Sequence, residues 1–129
     1  GAKRAVPLPV SAPFHCELME PARVRLSPDL EEASFSDLSF PLIANVDARA
    51  LRGGAEARSR LVRQVTAPVR WEASVREMFR LGARIFVEVG PGKVLSGLVR
   101  RILPEAKILN VEDPASLEKV LTTLRGGVS

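Results

Sequence analysis

Apolar residues recur along this chain at two spacings, and the switching between them sets out a series of short strands and amphipathic helices. Ala5-Val6-Pro7-Leu8-Pro9-Val10 alternates prolines with apolar residues. Proline cannot donate to a sheet ladder, so the run reads as a buried first strand lying near a sheet edge. Leu18, Met19, Ala22 and Leu26 give a rough helical stripe, with Pro21 suited to the first turn of the main helix. Ser27-Pro28 marks a break, with Ser27 capping a further turn through Glu32. Leu38, Phe40 and Leu42 alternate with Ser39 and Pro41 and run into Ile43-Ala44, a strand that ends at Asn45. Arg52-Gly53-Gly54 forms a loop. Leu61, Val62 and Val65 then line one side of a helix whose other side carries Arg58, Arg60 and Arg63, and Ala67-Pro68 ends it.

The second half is more regular. Trp71, Val75, Met78 and Phe79 form a helical face that Gly82 closes. Ile85-Phe86-Val87-Glu88-Val89 is a nearly all-apolar run, the pattern of a strand covered on both faces. Gly90-Pro91-Gly92 breaks it. Leu95, Leu98, Val99 and Ile102 follow at helical spacing up to Pro104, then comes a strand at Ile108-Leu109-Asn110-Val111. A last helix carries Leu117, Val120, Leu121 and Leu124 before Gly126-Gly127. Strand, helix, strand in that order requires a right-handed crossover between parallel neighbours, so the fold class is α/β with parallel strands and flanking helices.

Composition narrows the function. With 129 residues and 46% hydrophobic positions the chain can bury a core. It has neither an apolar run of about 18 residues nor the start of a secretory signal, so a cytoplasmic location is expected and no membrane partner. One cysteine and one histidine are too few soft ligands for a structural zinc site, and no metal is expected. The net charge of +4 rests on arginines spread along helices, a basic face suited to anionic partners. Nucleic acid is disfavoured, because the chain lacks tyrosine and has no basic run interleaved with aromatics. A first strand without a preceding partner reads as part of something longer.

Two places carry candidate chemistry. His15, the sole histidine, sits where extended chain gives way to helix, the kind of turn on which α/β folds display functional groups. A histidine held by backbone groups for structural reasons is the alternative. Cys16 beside it makes no dyad, since adjacent residues diverge on helix and strand alike. No serine lies in a Gly-x-Ser-x-Gly elbow, so the histidine's partner is absent from this chain. Gly90-Pro91-Gly92-Lys93 lies between strand and helix, where main-chain N–H groups favour an anion. A phosphate loop would need glycine at Val87 and serine or threonine at Val94, so a tight structural turn is preferred.

Taken together, Pro9-Val10-Ser11-Ala12-Pro13-Phe14-His15-Cys16, Ala44-Asn45-Val46-Asp47, Leu61-Val62-Arg63-Gln64-Val65 with Pro68-Val69-Arg70-Trp71, and Glu88-Val89-Gly90-Pro91-Gly92-Lys93-Val94-Leu95 resemble the malonyl-CoA:acyl carrier protein transacylases. The resemblance covers residues 1–129 and only the C-terminal segment of those enzymes' large acyltransferase domain, part of an α/β-hydrolase-like core. It implies that an N-terminal part carries the nucleophile elbow, the arginine that pairs with the malonyl carboxylate, and most of a ferredoxin-like subdomain.

By that resemblance His15 is the base of a Ser-His pair in ping-pong malonyl transfer from coenzyme A to the phosphopantetheine thiol of acyl carrier protein, with no bound cofactor. A piece with only the histidine should be inactive alone. Gln64 matches a glutamine whose main-chain carbonyl orients the histidine, and Asn45 a supporting residue. Phe14 resembles the phenylalanine of malonyl-specific polyketide acyltransferase domains and is expected to shape the acyl pocket. The Glu88–Leu95 block favours fatty-acid synthesis, and a polyketide pathway stays open. Arg58, Arg60 and Arg63, read as charges without internal partners, are expected to dock the acidic carrier protein. The competing reading is a basic α/β domain that binds anions or nucleic acid through its arginines and the Gly90 turn.

Overall fold

The computed structural model describes residues 1, 5–7 and 12–126, and the chain divides between Arg70 and Trp71 into two units. In the first, a 3-10 turn (Glu17–Met19) leads into α1 (Glu20–Glu32), whose acidic first residue and following proline suit a helix N-terminus. The expected break at Ser27-Pro28 does not occur. Ser27 Oγ donates backward to the Arg23 carbonyl at 2.8 Å instead of capping a new turn. Pro28 removes one N–H, and α1 continues until Ala33 N–H closes on Asp29. Of the stripe expected here, Leu18 and Leu26 are exposed while Met19 and Ala22 are half-buried.

β1 (Leu42–Ala44) and β2 (Arg49–Leu51) form an antiparallel hairpin in which Leu42 faces Leu51 and Ala44 faces Arg49. The strand expected from Leu38 is therefore shorter at its start, and β2 was not anticipated. Leu38 N–H still donates to the Arg52 carbonyl at 2.7 Å, so the incoming segment lies along the outgoing one. Ala48, at φ 57°, makes the tight turn without glycine. α2 (Gly54–Gln64) packs on α1 and buries Ala57. Gly54 donates to Asp37 Oδ1 at 2.9 Å, and a Cβ there would lie 2.5 Å from the Phe35 carbonyl oxygen, so only glycine permits this approach. Of the expected first strand, Ala5–Pro7 adopts no strand, and Leu8–Val10 lies outside the described residues.

The second unit follows the periodicity closely. α3 (Trp71–Arg80), β3 (Ile85–Val89), α4 (Val94–Ile102), β4 (Lys107–Val111) and α5 (Pro114–Gly126) succeed one another. β3 and β4 are parallel, in register from Ile85 with Lys107 to Val89 with Val111, and joined through α4. Val75, Val99 and Leu103 form the buried centre, with Trp71, Phe86 and Ile108 against them. Val75, Val99 and Leu103 each contribute about 1.5–3 kcal/mol by leaving water. Asp113 caps α5: its Oδ1 accepts the Ser116 N–H at 2.7 Å while Ser116 Oγ accepts the Asp113 N–H at 2.9 Å.

One expectation for β3 is corrected. Only Phe86 and Glu88 turn inward, while Ile85, Val87 and Val89 face outward, Val89 being 78% exposed. β3 pairs with β4 alone among the described strands, so its other edge and one apolar face are open within these residues. No helix among the described residues is long and apolar enough to cross a membrane.

Candidate active site around His15

The chain reaches His15 through a tight turn in which Phe14 N–H donates to the Ala12 carbonyl at 3.0 Å. His15 has φ 59°, in the left-handed region, at a cost of about 1–2 kcal/mol for a residue with a side chain. Cys16 returns to extended backbone, its thiol donating to the Pro13 carbonyl at 3.1 Å and its own carbonyl accepting Met19 N–H. Strain of this kind persists only where surrounding bonds hold it, and it concentrates at functional positions. The imidazole is exposed, and among the described residues one bond holds it: Nδ1 lies 2.9 Å from the main-chain oxygen of Gln64.

That bond fixes the proton. A carbonyl can only accept, so Nδ1 carries a hydrogen, and in the neutral ring the lone pair lies on Nε2. Gln64 is the last residue of α2, and its carbonyl is one of those a helix end leaves without an intrahelical donor. Ala67 N–H reaches it only at 3.4 Å, so the histidine is the closer partner. The Gln64 side chain turns the other way, Nε2 donating to the carbonyls of Ala67 at 2.8 Å and Pro68 at 3.4 Å.

Asn45 follows β1, and its carbonyl accepts the Arg70 N–H at 2.8 Å. It shares with Gln64 a groove of about 200 Å³ bounded by Ile43 and Leu61, and no described hydrogen bond joins it to His15. Phe14 adjoins the histidine in sequence, with 59% of its surface exposed. Among the described residues no cluster of three or more His, Cys, Asp or Glu is placed to hold a metal ion.

The arginines require a correction, because Arg58 and Arg60 have internal partners. Arg58 Nη2 donates to the Ala33 carbonyl at 2.9 Å and its guanidinium lies over Phe35. Arg60 is 11% exposed, bonded to Glu56 at 2.6 Å and the Arg49 carbonyl at 2.8 Å, with Asp47 at 3.4 Å. Glu56 lies one turn earlier on α2 itself, at the i, i+4 spacing a helical reading supplies, whereas Asp47 and the Ala33 and Arg49 carbonyls come from outside the helix and could not be read from its periodicity. Arg63 remains 56% exposed, with Asp47 at 3.8 Å. Asp47, present in the resembling Ala44–Asp47 block, is the arginine partner that the helical pattern does not reveal. Its position in Asn45-Val46-Asp47-Ala48, with Oδ1 accepting Arg49 N–H, is the local signal of a turn.

The Gly90–Lys93 turn is saturated by the protein's own carboxylates. Gly90 and Gly92 take φ 138° and 86°. Gly92 N–H donates to Glu112 Oε2 at 3.0 Å, Asn110 donates to the Gly92 carbonyl at 2.9 Å, and Lys93 pairs with Glu112 at 3.4 Å. At the start of α4 the Leu95 and Ser96 N–H groups bind Glu88. The Gly92, Leu95 and Ser96 N–H groups that an external anion would use are already held by carboxylates, which supports the structural reading of this turn.

No family model matches the chain. Individual relatives do. A malonyl CoA-acyl carrier protein transacylase of Bacillus subtilis is 42% identical over 125 residues, covering 97% of this chain and 39% of that protein. A 1.7 Å crystal structure of an acyl carrier protein S-malonyltransferase from Vibrio cholerae superposes with a TM-score of 0.86 at 45% identity, covering 93% of this chain and 39% of that one. A malonyl-transacylase solved in complex with its type II PKS acyl-carrier protein gives 0.88 at 42% identity, over 95% of this chain and 40% of that one.

The chain is thus similar to acyltransferases, and the likeness falls on their C-terminal part. The particular resemblance read from the sequence, to malonyl-CoA:acyl carrier protein transacylases, is borne out. The chain spans about two fifths of the length of the curated relatives it matches, 39% of the Bacillus subtilis protein.

Proposed function

We propose that these residues are the C-terminal segment of the large domain of a malonyl-CoA:acyl carrier protein transacylase acting in cytoplasmic fatty-acid synthesis, with His15 as its general base. The observation that carries the reading is the bond from His15 Nδ1 to the Gln64 carbonyl, which leaves Nε2 ready to accept a proton. In a Ser-His-carboxylate arrangement an acidic side chain fixes the imidazole in that tautomer; here a peptide oxygen does so. The nucleophilic serine, the arginine for the malonyl carboxylate and most of a ferredoxin-like subdomain belong to the rest of the protein. The uncovered apolar face and free edge of β3 support such a larger partner.

The chemistry needs no bound cofactor. Nε2 takes the serine proton as the hydroxyl attacks the thioester carbonyl. The tetrahedral adduct collapses, the C–S bond breaks, and the imidazolium returns the proton to the departing coenzyme A thiolate, leaving malonyl as a serine ester. Nε2 next deprotonates the phosphopantetheine thiol, whose sulfur attacks the ester. The serine oxygen leaves with the same proton, completing a ping-pong cycle. A second reading, transfer to a polyketide carrier protein, rests on Phe14 and on the similarity to the transacylase solved with a type II PKS carrier protein.

In the full-length protein, His15→Ala should slow formation of the malonyl-serine ester by about 10²–10⁴, the usual contribution of a positioned base. Rapid-quench kinetics beside thermal melts measure it. Unchanged ester formation would overturn the reading, and lost stability with normal activity per folded molecule would make His15 structural.

A further inference from the structure

We infer that the side chain of Gln64 is a positioning residue for the His15 base, an inference that rests on the function proposed above. The oxygen that holds His15 belongs to the main chain, which every residue possesses, so the bond to histidine gives no reason for glutamine at this position. The side chain does. Its amide carries two N–H donors and no charge, and its nitrogen lies within reach of both carbonyls that follow α2, closely to Ala67 at 2.8 Å and at the long end to Pro68 at 3.4 Å.

The geometry links that clamp to the histidine through one torsion. Rotation about the Cα–C bond of Gln64 sets where its carbonyl points. The same rotation carries Val65 through Pro68 relative to the Gln64 side chain. Hydrogen bonds from Nε2 to the oxygens of Ala67 and Pro68 close a ring across this bond, so turning the carbonyl away from His15 breaks them.

Among the described residues, the next firm tie after the clamp is Arg70 N–H to the Asn45 carbonyl at 2.8 Å, two residues beyond Pro68. Pro68 has no N–H to give, and the Ala67 N–H contact to Gln64 is long at 3.4 Å. The clamp therefore aims the acceptor that sets the imidazole tautomer, and it acts on the base without touching the substrate.

The test uses the full-length protein with Gln64→Met, which keeps an unbranched side chain of similar length and removes the donors, and Gln64→Lys, which puts donors back. Two readouts bear on positioning. One is the ring nitrogen chemical shifts of His15 in ¹⁵N-labelled protein, assigned by their loss in His15→Gln. The other is the rate of serine malonylation at saturating malonyl-CoA.

Gln64→Met should lose the preference for the Nδ1-protonated form and slow malonylation by about 10- to 100-fold, as expected for a catalytic group displaced by an ångström or less. Its KM for malonyl-CoA should not change. Gln64→Lys should recover both the spectrum and most of the rate. A Gln64→Met protein with the wild-type tautomer and rate would overturn the inference and leave the function standing. If melts show that Gln64→Met does not fold, the Gln64→Lys spectrum decides: an Nδ1-protonated ring supports the clamp, and an even mixture of tautomers refutes it. Wild-type transfer by His15→Ala would instead remove the function on which the inference rests.

Discussion

Glu88 on β3 accepts the main-chain N–H of Ser96 at 2.7 Å, so a strand residue closes the first turn of the helix that follows it. The other carboxylate oxygen takes the Leu95 N–H at 3.0 Å. Helix starts leave such donors free and carry partial positive charge, so an anion fits there. Lys93, the residue preceding α4, makes no side-chain cap of its own. Glu88 therefore faces inward on a strand whose other residues are apolar or aromatic, and the Gly-Pro-Gly turn gives the chain room to bring α4 back over it.

This arrangement predicts a pH dependence. The Ser96 side chain beside Glu88, although its hydroxyl makes no hydrogen bond, and then the N–H groups of Ser96 and Leu95 that do, hold the Glu88 carboxyl below its ordinary value of 4.5. A carboxyl depressed in the folded state adds stability above its unfolded pKa, and that stability is lost as pH falls through the folded value. The melting temperature of the full-length protein should therefore exceed that of Glu88→Gln at neutral pH, and the gap should shrink once pH drops below 4.5. Glu20, Glu77 and Asp113 are also depressed, which is why the difference between variants, and not the acid limb of one melt, isolates Glu88. A gap constant from pH 7 to 3 would mean that the charge contributes nothing.

Arg60 and Arg63 should separate in their effects although both lie on α2. Replacing Arg60 by glutamate sets a carboxylate against Asp47 and Glu56 in a site 11% exposed, and should cost about 3 kcal/mol as a broken, mostly buried pair. Arg63 is 56% exposed and its pairing with Asp47 is worth well under about 1 kcal/mol. Under the proposed function, Arg63→Glu should leave the melt unchanged, raise KM for carrier protein and not for malonyl-CoA, with the difference fading in salt. Equal KM values for both substrates would reduce Arg63 to a solvated charge.

The elements after Trp71 were legible because each presents its own period: Val75, Met78 and Phe79 on α3, and Leu95, Val99 and Ile102 on α4. Before Trp71 the signal is tertiary. β2 is three residues long, only Leu51 in it is buried, and its turn places Ala48 at positive φ without the glycine that would announce a hairpin. Pro28 breaks a local rule inside α1 and the helix continues. The apolar run of β3 is a different case: Ile85, Val87 and Val89 are written for burial, yet these residues alone do not bury them. The likeness of the chain to 39% of a longer relative accounts for that if the cover lies elsewhere in the protein. His15 could be singled out by its place in the sequence, and Gln64 by resemblance, but the bond between them spans 49 positions and no local pattern announces it.

Phe14 carries the last prediction, which concerns substrate choice. It precedes His15 in a turn whose backbone is held by the Phe14 N–H to Ala12 bond and by the left-handed histidine, so the two side chains leave adjacent positions of one tight turn. Under the proposed function the acyl group passes beside that imidazole, and 59% of the Phe14 surface is free to meet it. A ring there leaves little room for a methyl branch on the carbon next to the thioester. One misfitted methyl is worth only about 1–3 kcal/mol, so the expected effect is a preference and not an exclusion. Phe14→Ser in the full-length protein should raise use of methylmalonyl-CoA relative to malonyl-CoA by about tenfold, near the lower end of that range, while malonyl transfer persists because His15 and Gln64 are untouched. Offering both thioesters to wild type and variant in one reaction, and weighing the acylated serine by mass spectrometry, gives the ratio directly. An unchanged ratio would place the Phe14 ring outside the acyl pocket.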